Sequence, residues 1–253
     1  MPSLILARCV LLEARRGGLP WLVAASIAAG LGLAGFLAQV AITESDALQS
    51  SIVAALWRAC AVFLIAAHVA ASAQREIQDK ALELMLALPL SRATHYAGRL
   101  AGHVGVGAAV AACFALPLLL WAPPTAVAAW GISLALETAL IAAAALFFAT
   151  ALASLVAAIA SVAGLYVLAR AIGAIQAIAA GSPAEPTFLQ QAAHWSVEAV
   201  ALLLPRLDAA TRTEWLLYGA PAAGEFAGAL GGVALYAALL LAAGLFDFQR
   251  RSL

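Results

Sequence analysis

The chain has 253 residues, of which 65% are hydrophobic and 10% are charged, and its formal net charge at pH 7 is zero. Mean hydropathy is +1.01. This composition excludes an ordinary soluble domain, in which about a quarter of the residues are charged.

The apolar residues are grouped into runs long enough to cross a membrane. A spanning helix needs roughly 20 apolar residues to cross about 30 Å of hydrocarbon. Six stretches meet this requirement: Leu19–Ile42, Ile52–Ala73, Leu100–Trp121, Ala126–Ala153, Leu155–Ala179 and Phe226–Phe246. The alternating segments of about ten residues that mark a transmembrane β-barrel are absent from the sequence. The expected fold is therefore all-α, a polytopic membrane protein with one transmembrane domain over residues 1–253.

Residues 1–18 precede the first span and combine apolar and basic positions. Within Pro2–Arg16 the pattern is typical of a helix that lies along the cytoplasmic membrane surface. A simple juxtamembrane start, with arginines retained on the inner side, remains an alternative.

The distribution of basic residues predicts the orientation. With the N-terminus inside, the cytoplasmic segments contain nine of the 13 basic residues: Arg8, Arg15, Arg16, Arg75, Lys80, Arg92, Arg99, Arg250 and Arg251. Basic residues are retained on the cytoplasmic side during insertion, so both termini are expected inside, in a bacterial inner membrane. Trp57, Trp121 and Trp130 are expected near the outer interface as aromatic anchors.

The connections between spans are short, with two exceptions. We expect an outer loop at Thr43–Ser51, an outer turn at Pro123–Pro124, which cannot continue a helix, and an inner turn at Ser154. The longest outer segment, residues 180–225, is expected to contain one or two helices at the outer membrane surface and to be where a periplasmic partner would bind.

The second exception is the polar segment 74–99, between the second and third spans. A helix over Arg75–Leu88 would place Glu76, Lys80 and Glu83 on one side. An apolar stripe would form a second side, made of Ile77, Ala81, Leu84, Met85 and Leu88. Pro89 would end this helix and Ser91 would cap the next one. Such a cytoplasmic helix suits a groove on a soluble partner; resting on lipid is the alternative.

Three ionisable residues, Arg58, Glu137 and Arg170, fall inside predicted spans, in the outer half of the membrane. A charge at the bilayer centre costs at least roughly 2.5–3.5 kcal/mol, so these side chains should face protein or water. One hypothesis is a polar lining for a translocation path, in which two arginines favour an anionic group. The other is a Glu137–Arg170 ion pair between helices, with Arg58 extending toward the outer headgroups. Histidine spacings indicate no metal site, and no catalytic serine motif is present.

The polar segment contains Glu76, the leucine-rich run Leu82–Leu86, and Leu88-Pro89-Leu90-Ser91-Arg92, followed by Arg99 and Gly102. These residues resemble the signature of type-2 ABC transporter permeases. Phe246-Asp247-Phe248-Gln249-Arg250-Arg251 is similar to the usual C-terminal ending, and the layout is closest to permeases grouped with multicopper-enzyme maturation systems. Lys80-Ala81 departs from the Gly-Thr pair common in that family.

The resemblance implies an exporter subunit that couples ATP hydrolysis to transport through the segment after the second span. The implied coupling residues are Glu76, Lys80, Glu83, Leu84, Met85, Leu88, Pro89 and Arg92. Two copies of a separate ATPase would use ATP and Mg, since this sequence has no phosphate-binding G-x-x-x-x-G-K-[ST] loop. The chain itself is then non-catalytic and binds no cofactor directly.

Other expected partners are a second permease, identical or related, and membrane lipids, but no nucleic acid. A membrane scaffold or assembly factor without transport is one alternative function. A secondary transporter is another, although matching inverted halves are not visible in the sequence.

Overall fold

A computed structural model describes residues 2–40, 45–79, 91–152, 154–180 and 188–250. These residues form helices and turns without a strand, which confirms the predicted all-α class. The helices are α1 (Pro2–Arg16), α2 (Leu19–Val40), α3 (Ser45–Gln78), α4 (Arg92–Ala115, continued by a 3-10 turn at Leu116–Leu120), α5 (Pro124–Ala151), α6 (Leu155–Ala180), α7 (Phe188–Leu202), α8 (Leu207–Ala210), α9 (Trp215–Tyr218) and α10 (Ala223–Arg250).

Six of these helices are long and apolar enough to cross a membrane, as the sequence predicts: α2, α3, α4, α5, α6 and α10. Helix α5 lies at the centre, in contact with α3, α4, α6 and α10. In its most apolar 18-residue window 67% of the residues are buried, against 11–22% for α2, α6 and α10. Because the exposed sides of these outer helices are also apolar, lipid is the solvent that suits them.

Helix α3 is longer at both ends than the predicted second span. It begins at Ser45, so most of the expected loop Thr43–Ser51 is helical; the Ser50 and Ser51 hydroxyls donate to carbonyls three residues earlier. At the other end α3 continues to Gln78. Its 34 residues cover about 51 Å, well beyond the ~30 Å of hydrocarbon. Arg75–Gln78 therefore belong to the second span's helix, and no separate helix starts at Arg75.

The predicted turn signals are at the ends of the helices. Ser91 caps α4, because its Oγ accepts a hydrogen bond from the Thr94 N–H at 3.2 Å. Pro123 precedes α5, which starts at Pro124. Ser154 immediately precedes α6.

The segment 180–225, which the sequence predicts to lie outside, contains three helices in its described part: α7, α8 and α9. Helix α7 leaves large apolar side chains exposed, among them Phe188, Leu189 and Trp195. Helix α9 is anchored instead, since Trp215 is buried and packs edge-on against Phe226 at 5.4 Å between ring centroids. The binding of a periplasmic partner by residues 180–225 stays a prediction.

Two of the tryptophans expected at the outer interface are core residues. Trp57 and Trp130 both have 0% exposure, so the prediction that they anchor the helices at the interface is wrong. The Trp57 indole N–H donates to the Ser26 carbonyl at 3.0 Å, and its ring stacks on Phe114. Hydropathy alone cannot separate a buried tryptophan from an interfacial one, because the indole N–H can be satisfied by protein or by headgroups.

Glycine permits the close contact between α2 and α3. A Cβ placed on Gly30 would lie 2.9 Å or less from three atoms of the Trp57 indole, whereas nothing lies within 4 Å at Gly32. We expect Gly30→Ala to lower the free energy of unfolding by about 1–3 kcal/mol relative to Gly32→Ala. Both changes gain the same helix propensity, so comparing their unfolding midpoints in detergent isolates the clash. Equal midpoints would contradict this contact.

Helix α1 packs against α4 through two glycines. Gly98 faces the Ser3 backbone, and Gly102 faces Ala7 and Val10. A Cβ on Gly98 would lie 3.0 Å from the Ser3 carbonyl oxygen, which is tight, and one on Gly102 would lie 2.6 Å from the Val10 Cβ, which is too close. The α1 residues Leu6, Val10 and Ala14 are buried at this contact, while Leu4, Ile5 and Leu12 are exposed. The small-residue spacing at Gly98 and Gly102 thus serves packing within the chain.

Candidate functional site

The first polar cluster lies between α3 and α5, inside the bundle. The Arg58 Nη1 lies 2.5 Å from the Glu137 Oε2, and the two side chains are 1% and 0% exposed. The Arg58 Nη2 donates to the Ser133 Oγ at 3.1 Å, and the guanidinium lies 4.9 Å from the Trp130 ring centre. Trp130, Ser133 and Glu137 follow one another by three and four residues, so they share one face of α5.

Arg170 on α6 completes this cluster from its exposed side. Its Nη1 lies 3.5 Å from the Glu137 Oε1 and donates to the Thr211 Oγ1 at 2.6 Å. Thr211 in turn donates to the Leu207 carbonyl at 2.6 Å. Arg170 is 36% exposed, whereas Glu137 is fully buried. Arg58, Glu137 and Arg170, here named the central cluster, carry two positive charges and one negative charge.

The structure brings together all three intramembrane residues singled out from the sequence. Glu137 contacts both arginines, and Arg58 faces inward rather than toward outer headgroups. Ser133 and Trp130 explain this direction, because they supply a hydroxyl acceptor and a π face for the guanidinium. The cluster joins α3, α5, α6 and the segment that carries Thr211. The same three residues can therefore both form an ion pair between helices and line a polar path.

A second cluster joins α1, α3 and α4 next to the polar segment. Arg99 on α4 pairs with Glu76 on α3, with 2.6 Å between Nη1 and Oε1. The Arg99 Nη2 donates to the Ser72 Oγ at 3.1 Å. Ser72 donates to Glu13 on α1, whose carboxylate oxygens lie at 2.8 and 3.0 Å. Glu13, Ser72, Glu76 and Arg99 form the stem cluster, in which Ser72 is 1% and Arg99 6% exposed.

The C-terminal end of α10 packs against the start of α4. Phe248 is 3% exposed and contacts His95 and Tyr96, at 6.2 and 5.7 Å between ring centroids. Arg92 donates to the Gln249 carbonyl at 3.3 Å. The end of α10 therefore has a physical use here, since it holds α10 against the start of α4.

Two of the eight residues proposed for coupling are described, and neither lies on a free helix. Glu76 is in the last turn of α3, directed at Arg99, and Arg92 begins α4. The other six lie outside the described residues: Lys80, Glu83, Leu84, Met85, Leu88 and Pro89. Their role in coupling stays a prediction.

The sequence interpretation missed most of the stem cluster. The sequence predicts Arg99 as a basic residue on the inner side and as part of the permease signature, but not as an ion-pair partner, and it predicts no role for Glu13 or Ser72. The available signal was an acidic residue, Glu13, within an otherwise basic segment. The pairing of Glu76 with Arg99 has no sequence signal, since it spans the connection between two helices.

Among the residues that the structure describes, no three His, Cys, Asp or Glu side chains come together as possible ligands. No protein-family model matches the chain, and no curated protein matches its sequence. What the chain does is therefore inferred from its residues and their geometry.

Proposed function

We propose that the chain is the transmembrane permease subunit of an ATP-driven ABC exporter, powered by a separate ATPase. Three observations support this function. The sequence Leu88-Pro89-Leu90-Ser91-Arg92 resembles the type-2 permease signature, and six helices are able to span a membrane. The observation that carries the proposal is the stem cluster, which fastens α3 and α4 to each other next to residues 79–91, the connection between them.

The stem cluster gives the polar segment a rigid base. Residues 79–91 connect α3 to α4, and Arg99 joins these helices within two turns of that connection. A load applied to the segment would move α3 and α4 together, because separating them requires breaking a largely buried ion pair.

Helix α3 links this base to the central cluster. Arg58 and Glu76 are 18 residues apart on one continuous helix, which corresponds to about 27 Å. Movement of α3 would therefore change the position of Arg58 relative to Glu137 and Arg170. Small shifts at one end of a packed helix are a known way to switch a distant contact between two arrangements.

The proposed assembly contains two permeases and two ATPase subunits in a bacterial inner membrane, with both termini of this chain in the cytosol. ATP and Mg would bind the ATPase and draw its two copies together. The ATPase must bind residues 80–90 differently in its two states, since equal affinity would shift no equilibrium. The second permease is either another copy of this chain or a related one.

Substitutions in the polar segment test the proposal. We expect Leu84→Asp or Glu83→Arg to leave membrane insertion intact but to abolish substrate-stimulated ATPase activity, because each change alters the surface offered to the ATPase. Leu202→Asp is a matched control, since Leu202 is 86% exposed at the end of α7. The measurement is ATP hydrolysis by the reconstituted complex, together with the amount of ATPase that co-purifies.

The same purification tests the function as a whole. A P-loop ATPase present in equal amount with the wild-type chain, and lost with Leu84→Asp, supports the permease. Full function of the chain without any ATPase would overturn the proposal and favour a scaffold or a secondary transporter. Normal stimulation of Leu84→Asp would overturn coupling through this segment.

A further inference from the structure

An apolar cleft opens between α1, the first half of α2 and the middle of α4. Its volume is about 540 Å³, within the range of small-molecule sites. The walls are made of side chains such as Leu12, Val23, Ile27 and Val110. One charged residue, Arg15, lines it.

The depth of the cleft matches one leaflet of a bilayer. Helix α2 has 22 residues and covers about 33 Å, so Leu19 stands near one edge of the hydrocarbon. From Leu19 to Ile27 the cleft follows α2 for about 12 Å, and a hydrocarbon leaflet is about 15 Å thick. The cleft thus runs from the headgroup level through most of one leaflet.

The charged residue of the cleft, Arg15, forms no ion pair with the part of the chain that the structure describes. Arg15 is exposed, and across the described ranges no carboxylate lies within 4.0 Å of its guanidinium. The nearest acidic residue in sequence, Glu13, is directed to Ser72 instead. Arg8 and Arg16 share the exposed side of α1 with Arg15, opposite the buried Val10. An anion bound at Arg15 would be attracted by all three arginines.

We propose that this cleft binds an anionic glycerophospholipid, with one acyl chain between α2 and α4 and the phosphate on Arg15. The lipid belongs to the leaflet at the N-terminal end of α2. Charge complementarity selects this occupant over a neutral one, since basic pockets between spanning helices bind acidic headgroups. By contrast, a cleft of about 460 Å³ between α4 and α5 has no charged lining residue. The inference depends on the membrane location and not on the proposed transport.

The test compares two lipids with identical acyl chains, phosphatidylglycerol and phosphatidylcholine. The purified full-length chain is titrated with each lipid in detergent, and bound lipid is counted by native mass spectrometry. We expect tighter binding of phosphatidylglycerol, because the choline cation offsets the phosphate charge of phosphatidylcholine. We expect Arg15→Gln to weaken phosphatidylglycerol binding roughly fivefold and to weaken phosphatidylcholine binding by a smaller factor. Ala109→Phe, which fills the cleft, should reduce the binding of both lipids.

Arg75→Gln is the matched control, because Arg75 is also exposed and lies outside the cleft. Its phosphatidylglycerol affinity should equal that of the wild type. Equal losses for Arg15→Gln and Arg75→Gln would overturn the proposal in favour of diffuse attraction, and so would unchanged binding by Ala109→Phe. An oxidative cross-link between the cleft residue Cys113 of two copies would also overturn it, since a second chain would then cover the cleft.

Discussion

Replacing Glu137 with leucine is expected to lower the free energy of unfolding by about 3–5 kcal/mol, the range for removal of one partner from a buried ion pair. Glu137 is the only anion of the central cluster, and its loss leaves Arg58 buried with Ser133 as its remaining hydrogen-bond acceptor. Arg170 would lose its contact with Glu137 as well, although the Arg170 side chain is partly exposed. The measurement is unfolding of the purified protein by SDS in mixed micelles.

The geometry also predicts an order among the substitutions. Arg58→Met leaves Glu137 with Arg170, and Arg170→Met leaves it with Arg58, so both should cost less than Glu137→Leu. The double variant Arg58→Met, Glu137→Leu removes the buried pair entirely, and Arg170 can then extend toward water. It should regain much of the lost stability, because apolar residues of similar volume often replace buried pairs at little cost.

Two results would contradict a structural role for Glu137. The first is equal stability of Glu137→Leu and the wild type, which would mean that the carboxylate is solvated or absent from the pair. The second is a double variant less stable than Glu137→Leu, since it would require Arg58 to be held by something other than Glu137. If Glu137→Gln assembled normally but altered transport, the negative charge of Glu137 would serve the translocation path and would not be required for helix packing.

The six spans were predictable because lipid imposes a simple requirement. Each crossing must satisfy its own backbone hydrogen bonds, so a long apolar run becomes a helix whatever its neighbours are. Local chemistry likewise revealed helix ends at Ser91, where a hydroxyl caps α4, and at Pro123–Pro124, where α5 begins. These signals are contained within a few residues and need no tertiary information.

What could not be predicted depends on which helices are neighbours. Trp57 looks interfacial by its position near a span end, but the close approach of Gly30 on α2 buries it. Arg58 looks able to reach headgroups, but α5 presents Ser133 and Glu137 at the same depth. Apolar helices in an Ala-rich chain carry little information about pairing, because many surfaces are similar in shape and composition.

Arg99→Met is the corresponding change in the stem cluster, and it should affect stability and coupling together. It leaves Glu76 without its cation. It also leaves Ser72, which donates to Glu13, without the hydrogen bond that Arg99 donates to it. We expect a loss of about 2–3 kcal/mol in unfolding free energy, less than for Glu137→Leu because Glu76 is 18% exposed. In the proposed complex, α3 and α4 would no longer move as a pair.

Arg75→Met separates the effect of breaking the stem cluster from that of a general loss of positive charge. Arg75 lies one residue from Glu76 on α3 and is exposed. Among the residues that the structure describes, it donates to the carbonyl of Ala71 on its own helix at 3.3 Å and to no other group. Its removal should change stability by less than about 0.5 kcal/mol. In the reconstituted complex, Arg99→Met should retain the ATPase but lose most of the substrate-stimulated hydrolysis, whereas Arg75→Met should keep both. If Arg99→Met loses stability yet keeps full stimulation, the stem cluster fastens the helices without transmitting motion, and coupling must pass through another contact.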